Sequence, residues 1–151
     1  MTAVSDCAIC AMVDTEPAGG WAYEDRSWVA GTLPGLEIPG WIVLALRRHA
    51  VEPAPLSERE AADLGVAIRR VSAALENVTD AERVYLQAYG ELERHWHLLI
   101  SARGAEVPPE HRHIAFFAHR GEYIDAPAAQ RVIEKLRALL TPPSSATRAA
   151  S

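Results

Sequence analysis

The segment from Glu93 to Ile100 carries the side chains best suited to chemistry. It follows a run of strand-forming residues from Arg83 to Tyr89 and is itself predicted to be a strand, so alternate side chains share a face. Glu93, His95 and His97 would then point the same way, with about 7 Å between neighbours from two rises of about 3.3 Å. Such a polar row is costly to bury without partners or a ligand. The segment is therefore a candidate site, and the alternative is a half-exposed strand whose polar face meets water.

Two cysteines lie near the start of the chain. Cys7 and Cys10 form a C-x-x-C pair, which is half of many zinc sites. A redox pair is an alternative, but no strand precedes it as in a thioredoxin-like unit. A chance pair is a third interpretation. In a reducing cytosol, thiols or metal ligands are expected rather than a disulfide.

A second histidine pair and a basic strand end extend the candidates. The apolar run from Trp41 to Leu46 ends in Arg47, Arg48 and His49, and on this pattern alone His49 is a solvated strand terminus. The pair His111-x-His113 could add to a site, although the pattern favours the polar start of a strand, followed by the apolar residues 114–117. The roles of His111 and His113 stay open.

Composition limits the class of protein. The 151 residues suffice for one domain with a sizeable core, and 49% hydrophobic and 23% charged residues are typical of a soluble globular chain. The net charge of −5 gives no broad basic surface for nucleic acid or anionic membranes. No secretory signal and no apolar run of about 20 residues is visible, so a cytoplasmic location without membrane contact is expected.

The remaining elements must position these side chains. Short strands are predicted within Trp21–Glu24 and Ser27–Thr32, around a hairpin. A helix begins at Ser57, where Ser57 and Glu60 form a capping box, and a last helix runs from Pro127 to about Leu140. The short link between the two strands on either side of Gly90 predicts an antiparallel sheet. Residues 1–140 are expected to form a single domain, and residues 141–151 a disordered tail.

Four features, in this order, resemble the histidine triad (HIT) superfamily and its zinc-containing branch. They are Cys7-x-x-Cys10, the strand residues Tyr23-Glu24-Asp25, the apolar strand that ends in Arg47-Arg48-His49, and His95-Trp96-His97-Leu98-Leu99. The resemblance implies an α+β, HIT-like fold with an antiparallel sheet of about five strands and two main helices. It also implies pairing into a homodimer.

The resemblance further implies a function and a set of ligands. His95 takes the place of the histidine that attacks the α-phosphate of a nucleotide, and His97 assists with the transferred charge. The enzyme would be a nucleotide hydrolase or nucleotidyl transferase with a covalent histidine intermediate. In the zinc branch, a structural zinc ion would be held by Cys7, Cys10, His49 and Glu93, since each residue type is an acceptable ligand.

The chain departs from the family pattern at Glu93, which replaces the first histidine of the motif, and it lacks the usual Gly-Gln or Gly-Asn upstream. These departures favour an alternative function. The protein would then be a zinc-stabilised HIT-fold protein that binds a non-nucleotide small molecule or runs a different histidine-based acid–base reaction. The sequence does not identify the nucleotide or metabolite, or distinguish hydrolysis from transfer.

Overall fold

A computed structural model describes residues 6–141 of the chain. Within that range, five strands form one antiparallel sheet in the order β1-β2-β3-β5-β4. The strands are β1 (Tyr23–Glu24), β2 (Trp28–Gly31), β3 (Trp41–Leu46), β4 (Ala81–Gln87) and β5 (His97–Gly104). The four α-helices of the same range are α1 (Ala8–Asp14), α2 (Glu58–Val78), α3 (Ile114–Ala118) and α4 (Ala126–Leu140). The predicted α+β fold with two main helices, α2 and α4, is confirmed.

The central strand β3 is buried along its whole length, as its uninterrupted apolar sequence predicts. Ile42 and Leu44 point into a core shared with α2 and α4. Val43 and Ala45 point to the other face, where α1 and α3 pack with them. The sheet thus separates two apolar layers, and the candidate site lies in the layer that contains α1.

Helix α2 starts at the predicted capping box, which is confirmed. The Ser57 hydroxyl accepts a hydrogen bond from the Glu60 backbone N–H, and the Glu60 carboxylate accepts one from the Ser57 N–H at 2.8 Å. Arg48 donates two hydrogen bonds to the same carboxylate, at 2.6 and 2.8 Å. The helix start is therefore fixed to the end of β3. Of the predicted tail, residues 142–151 lie outside the described residues.

The segment from Glu93 to Ile100 differs from the prediction, because β5 begins at His97 and not at Glu93. Its partner β3 ends at Leu46, and the last registered pair is Ala45 with His97. Before that point the chain bends, and the Trp96 N–H donates to the Ala50 carbonyl at 2.6 Å. Glu93 and His95 consequently do not share a strand face with His97.

A second difference lies after the pair His111-x-His113, where the sequence favoured the start of a strand. The structure has helix α3 there, entered through His113 with a φ of 60°. Phe116 of this helix is buried against Trp41, with ring centroids 5.0 Å apart. The segment forms a helix and not a strand because a helical turn buries one apolar face against the sheet.

No helix among residues 6–141 is both long enough and apolar enough to cross a membrane.

Candidate functional site

Two cysteines and two histidines meet at one end of β3. The Sγ atom of Cys10 lies 3.4 Å from Nδ1 of His49 and 3.3 Å from Nδ1 of His95. The Sγ atom of Cys7 lies 3.5 Å from the same His95 nitrogen. The four ligand atoms all lie within 4.8 Å of one another, and this cluster is positioned to bind a metal ion.

Three sulfur–nitrogen distances fit a tetrahedral ion. With metal–sulfur bonds of about 2.3 Å and metal–nitrogen bonds of about 2.05 Å, tetrahedral geometry places sulfur about 3.6 Å from nitrogen. The distances from Cys10 Sγ to both imidazoles and from Cys7 Sγ to His95 are 3.3 to 3.5 Å, which is close to that value. Both cysteines are buried.

Three separate segments deliver these ligands. Cys7 caps helix α1, and its Sγ accepts a hydrogen bond from the Cys10 N–H at 3.3 Å, so the first helical turn sets the spacing of the two sulfurs. His49 follows the end of β3, and His95 lies in the bend before β5. The antiparallel pairing of β3 with β5 brings these two chain positions together.

His95 is fully buried, and its second nitrogen is also in use. Its Nε2–H donates to the Leu46 carbonyl at 2.8 Å, which leaves Nδ1 with its lone pair toward the sulfurs. Burial lowers the pKa of the His95 imidazole, which favours the neutral form that a metal requires. The ring therefore has both the protonation state and the direction of a metal ligand.

The fourth position of the cluster differs from the sequence-based ligand set. Cys7, Cys10 and His49 come together as expected, but His95 stands where Glu93 was expected. The Glu93 carboxylate instead accepts a hydrogen bond from the Ala8 N–H at 3.2 Å, at the start of α1. The bend before β5 therefore turns His95, and not Glu93, toward the sulfurs.

His97 is the motif histidine that lines a large cleft, with a volume of about 520 Å³. Its Nδ1 lies 2.6 Å from the carbonyl oxygen of His95. A carbonyl only accepts, so Nδ1 carries the proton and Nε2 keeps a free lone pair. A neutral imidazole held in this tautomer is a nucleophile or base.

The cleft walls are largely apolar. The next residue on the same strand face as His97, Leu99, is buried and apolar. Opposite Leu99 on β4 stands Gln87, whose buried Oε1 has no hydrogen-bond partner within residues 6–141. The other apolar residues of the wall include Leu33, Pro34, Leu36, Val43, Tyr89, Leu92, Ile114 and Phe117.

Arg120 supplies the positive charge of this cleft. Within the described chain, it is the one Lys or Arg among the lining residues. Its guanidinium lies over the Phe117 ring at 4.5 Å, and its NH1 group donates to the Phe117 carbonyl at 3.0 Å. No carboxylate in the described part of the chain forms an ion pair with it. No local sequence pattern identifies Arg120 or Gln87, because the turn after α3 and the end of β4 bring them to the cleft beside His97 only in three dimensions.

Solved structures with the same fold come from several microorganisms. A histidine triad protein from Bradyrhizobium japonicum is 27% identical and superposes with a TM-score of 0.67, over 80% of this chain and 90% of that one. A Hit-like protein from Bartonella henselae, described as involved in cell-cycle regulation, reaches 0.67 at 12% identity, over 92% and 100% of the chains.

A hypothetical histidine triad nucleotide-binding protein from Sulfolobus tokodaii also reaches 0.67, at 15% identity, over 89% of this chain and 91% of that one. No model of a known protein family matches the sequence, and neither does any curated protein. The structural likeness nevertheless spans most of both chains. The chain has the fold of the histidine triad proteins, and its likeness to the Bradyrhizobium japonicum protein supports membership of the histidine triad superfamily.

Proposed function

We propose that the protein is a nucleotide hydrolase or nucleotidyl transferase whose covalent intermediate forms on Nε2 of His97. The observation that carries this proposal is the 2.6 Å contact between His97 Nδ1 and the His95 carbonyl, on a side chain that lines the cleft. This contact fixes the proton on Nδ1 and leaves the lone pair of Nε2 ready to attack. The nucleophile expected at His95 is thus reassigned to His97, because the His95 ring is buried and both its nitrogens are engaged.

The reaction needs few groups. The His97 lone pair forms a bond to the α-phosphorus, and the bond from phosphorus to the leaving oxygen breaks with its electron pair on that oxygen. Water, or another hydroxyl acceptor, then attacks phosphorus and loses its proton to solvent, and the phosphorus–nitrogen bond breaks with its electron pair on Nε2 to restore the neutral imidazole. Arg120 is the cleft group suited to neutralise the phosphoryl oxygens, because its charge is not shared with a carboxylate.

Leu99 narrows the substrate class. The strand offers no acid next to His97, so the leaving group must depart without being given a proton by that position. A phosphate or pyrophosphate leaves readily as an anion, whereas an amine or alkoxide leaves poorly without an acid. Phosphoanhydrides such as dinucleoside polyphosphates are therefore the favoured substrates over phosphoramidates.

We assign a structural zinc ion to Cys7, Cys10, His49 and His95. Two thiolates with two imidazoles are a donor set that favours zinc, and four protein ligands leave no open position for substrate. The ion would fasten α1 to the ends of β3 and β5. It would support the site without touching the reacting atoms.

The test is to trap the intermediate. Wild-type protein is incubated with ATP, GTP and diadenosine tetraphosphate, quenched in alkali, and analysed by intact mass spectrometry. A nucleotidyl adduct is expected on wild type and on His113→Ala, whose exposed imidazole lies outside the cleft lining. His97→Ala should carry none. Absence of any adduct on the wild-type protein contradicts the proposal.

The apolar cleft favours a second candidate, a HIT-fold protein that binds a non-nucleotide small molecule. Acidic groups in the lining are confined to the consecutive segment 91–93, while the deeper wall near Leu99 and Phe117 is apolar. A thermal-shift screen with mononucleotides and dinucleoside polyphosphates separates the two. Stabilisation by any of these nucleotides counts against the second candidate.

Homodimer formation is also proposed. Strand β4 is at the edge of the sheet, and Leu86, on β4, and Leu92, in the loop that follows, are exposed at 49% and 80%. An open edge with apolar side chains is a surface that proteins usually cover. Light scattering after size exclusion should give twice the chain mass, and a single chain mass refutes the pairing.

A further inference from the structure

Outside the cleft and the cysteine cluster, a second group of metal-binding side chains lies in the segment 109–123. It consists of His111, His119 and Glu122. His111 ends a short 3-10 helix, and the other two flank the turn that follows α3. Nothing in the proposed nucleotide chemistry uses these three side chains.

The ligand atoms lie close enough together for a single ion, which would replace the hydrogen bond between His119 and Glu122. Nδ1 of His119 lies 2.7 Å from one carboxylate oxygen of Glu122, and Nδ1 of His111 lies 4.0 Å from the other. Bonds of about 2.0 to 2.2 Å to one ion place its ligand atoms about 3 to 4.3 Å apart. All three side chains have ligand atoms within 4.8 Å of one another, so small rotations bring them into range.

The donor chemistry points to a class of ion. Two imidazoles with one carboxylate form the ligand set of open zinc sites, and imidazole also suits nickel and copper. This group contains no thiolate, so its preference among metal ions differs from that of the cysteine cluster. We propose that His111, His119 and Glu122 bind a divalent transition metal, with remaining positions open to water.

Loading requires one ring to turn. The two imidazoles are stacked, with centroids 3.7 Å apart and planes within 12°. A metal ion lies in the plane of each imidazole it binds, and two stacked planes cannot both contain it. His119 is the ring that turns, because its side chain is 41% exposed whereas that of His111 is 16% exposed and held by Tyr123 at 2.7 Å.

The ion would act on the cleft through its wall. The same segment carries Phe117 and Arg120, and Arg120 lies in sequence between the ligands His119 and Glu122. Cross-linking the two ends of a short segment restricts its alternative conformations. A bound ion would therefore fix the position of Arg120 in the cleft wall, whatever substrate the cleft accepts.

The experiment uses the full chain carrying one equivalent of zinc, titrated with Ni²⁺ by calorimetry. Wild type should take up one further equivalent, and NMR signals of residues 109–123 should broaden. His119→Gln and Glu122→Gln should weaken this second binding at least tenfold. The matched controls His113→Gln and Glu110→Gln change exposed side chains of the same segment outside the group and should bind like wild type.

Two results would overturn the assignment. One is a wild-type protein that takes up no second equivalent of Ni²⁺. The other is a loss of binding in His113→Gln as large as that in His119→Gln. Neither result bears on the adduct at His97, and a missing adduct does not affect the Ni²⁺ titration.

Discussion

Removal of the metal from the cysteine cluster should lower the stability of the whole domain. The ion would join three distant segments, since Cys10 is 39 positions from His49 and 85 from His95. By the chain-entropy relation for cross-links, closing the 39-residue loop alone contributes about 4 kcal/mol to the free energy of unfolding. The second closure contributes at most a similar free energy, because part of its loop is already closed.

This free energy converts to a large shift in melting temperature. At about 2.1 cal/mol/K per residue, unfolding 151 residues has an entropy of about 0.3 kcal/mol/K. A loss of about 4 kcal/mol then lowers Tm by about 13 °C. Because the sulfur–nitrogen distances already match a tetrahedral ion, little of this is offset by rearrangement.

The assay is scanning calorimetry of zinc-loaded protein and of protein stripped with a chelator, both under reducing conditions. His97→Ala serves as the control and should show the same shift, because its ring is not among the four ligands. Melting temperatures of loaded and stripped protein that agree within about 2 °C would refute the loop-closure reasoning.

Three other predictions concern the scaffold. Ser57→Ala should cost about 1 kcal/mol in urea unfolding, because it removes the cap of α2, and an unchanged midpoint would contradict the capping role. Hydrogen bonds from Arg48 hold the pKa of Glu60 at about 2, below its unfolded value, so its contribution is present above pH 4.5 and is lost as pH falls toward 2. Urea midpoints measured from pH 6 to pH 3 should therefore fall less in Glu60→Gln than in wild type, and parallel profiles would exclude this source. Gly40→Ala should destabilise, because φ is +82° and the new Cβ would lie 2.9 Å from Ala102 Cβ; calorimetry that shows no loss of Tm would contradict this.

Local patterns predicted the scaffold well. The apolar run of β3 and the capping box at Ser57 and Glu60 need only neighbouring residues to be recognised, and both are confirmed. The short apolar stretch of α3 was not recognised as a helix. A run of five residues is compatible with the periodicity of a helix or of a strand, and packing against Trp41 decides for the helix.

The candidate site was only partly predictable. Cys7, Cys10 and His49 were predicted as ligands from the resemblance to the zinc-containing branch, but the same resemblance put Glu93 in the place that His95 takes. A regular strand places both on one face, whereas β5 starts only at His97 because β3 ends at Leu46. The bend before β5 determines whether Glu93 or His95 meets the sulfur of Cys10, 85 positions from His95. No local sequence pattern predicts that bend.

His95 serves both halves of the site at once. Its imidazole faces the sulfurs of Cys7 and Cys10, and its own carbonyl accepts a hydrogen bond from Nδ1–H of the His97 ring. In the mechanism proposed for His97, an event that disturbs the sulfur side, such as oxidation of the thiols, would reach the reacting nitrogen through the peptide unit of one residue. Chemistry in the cleft would then depend on an intact cluster that is not itself in contact with the substrate.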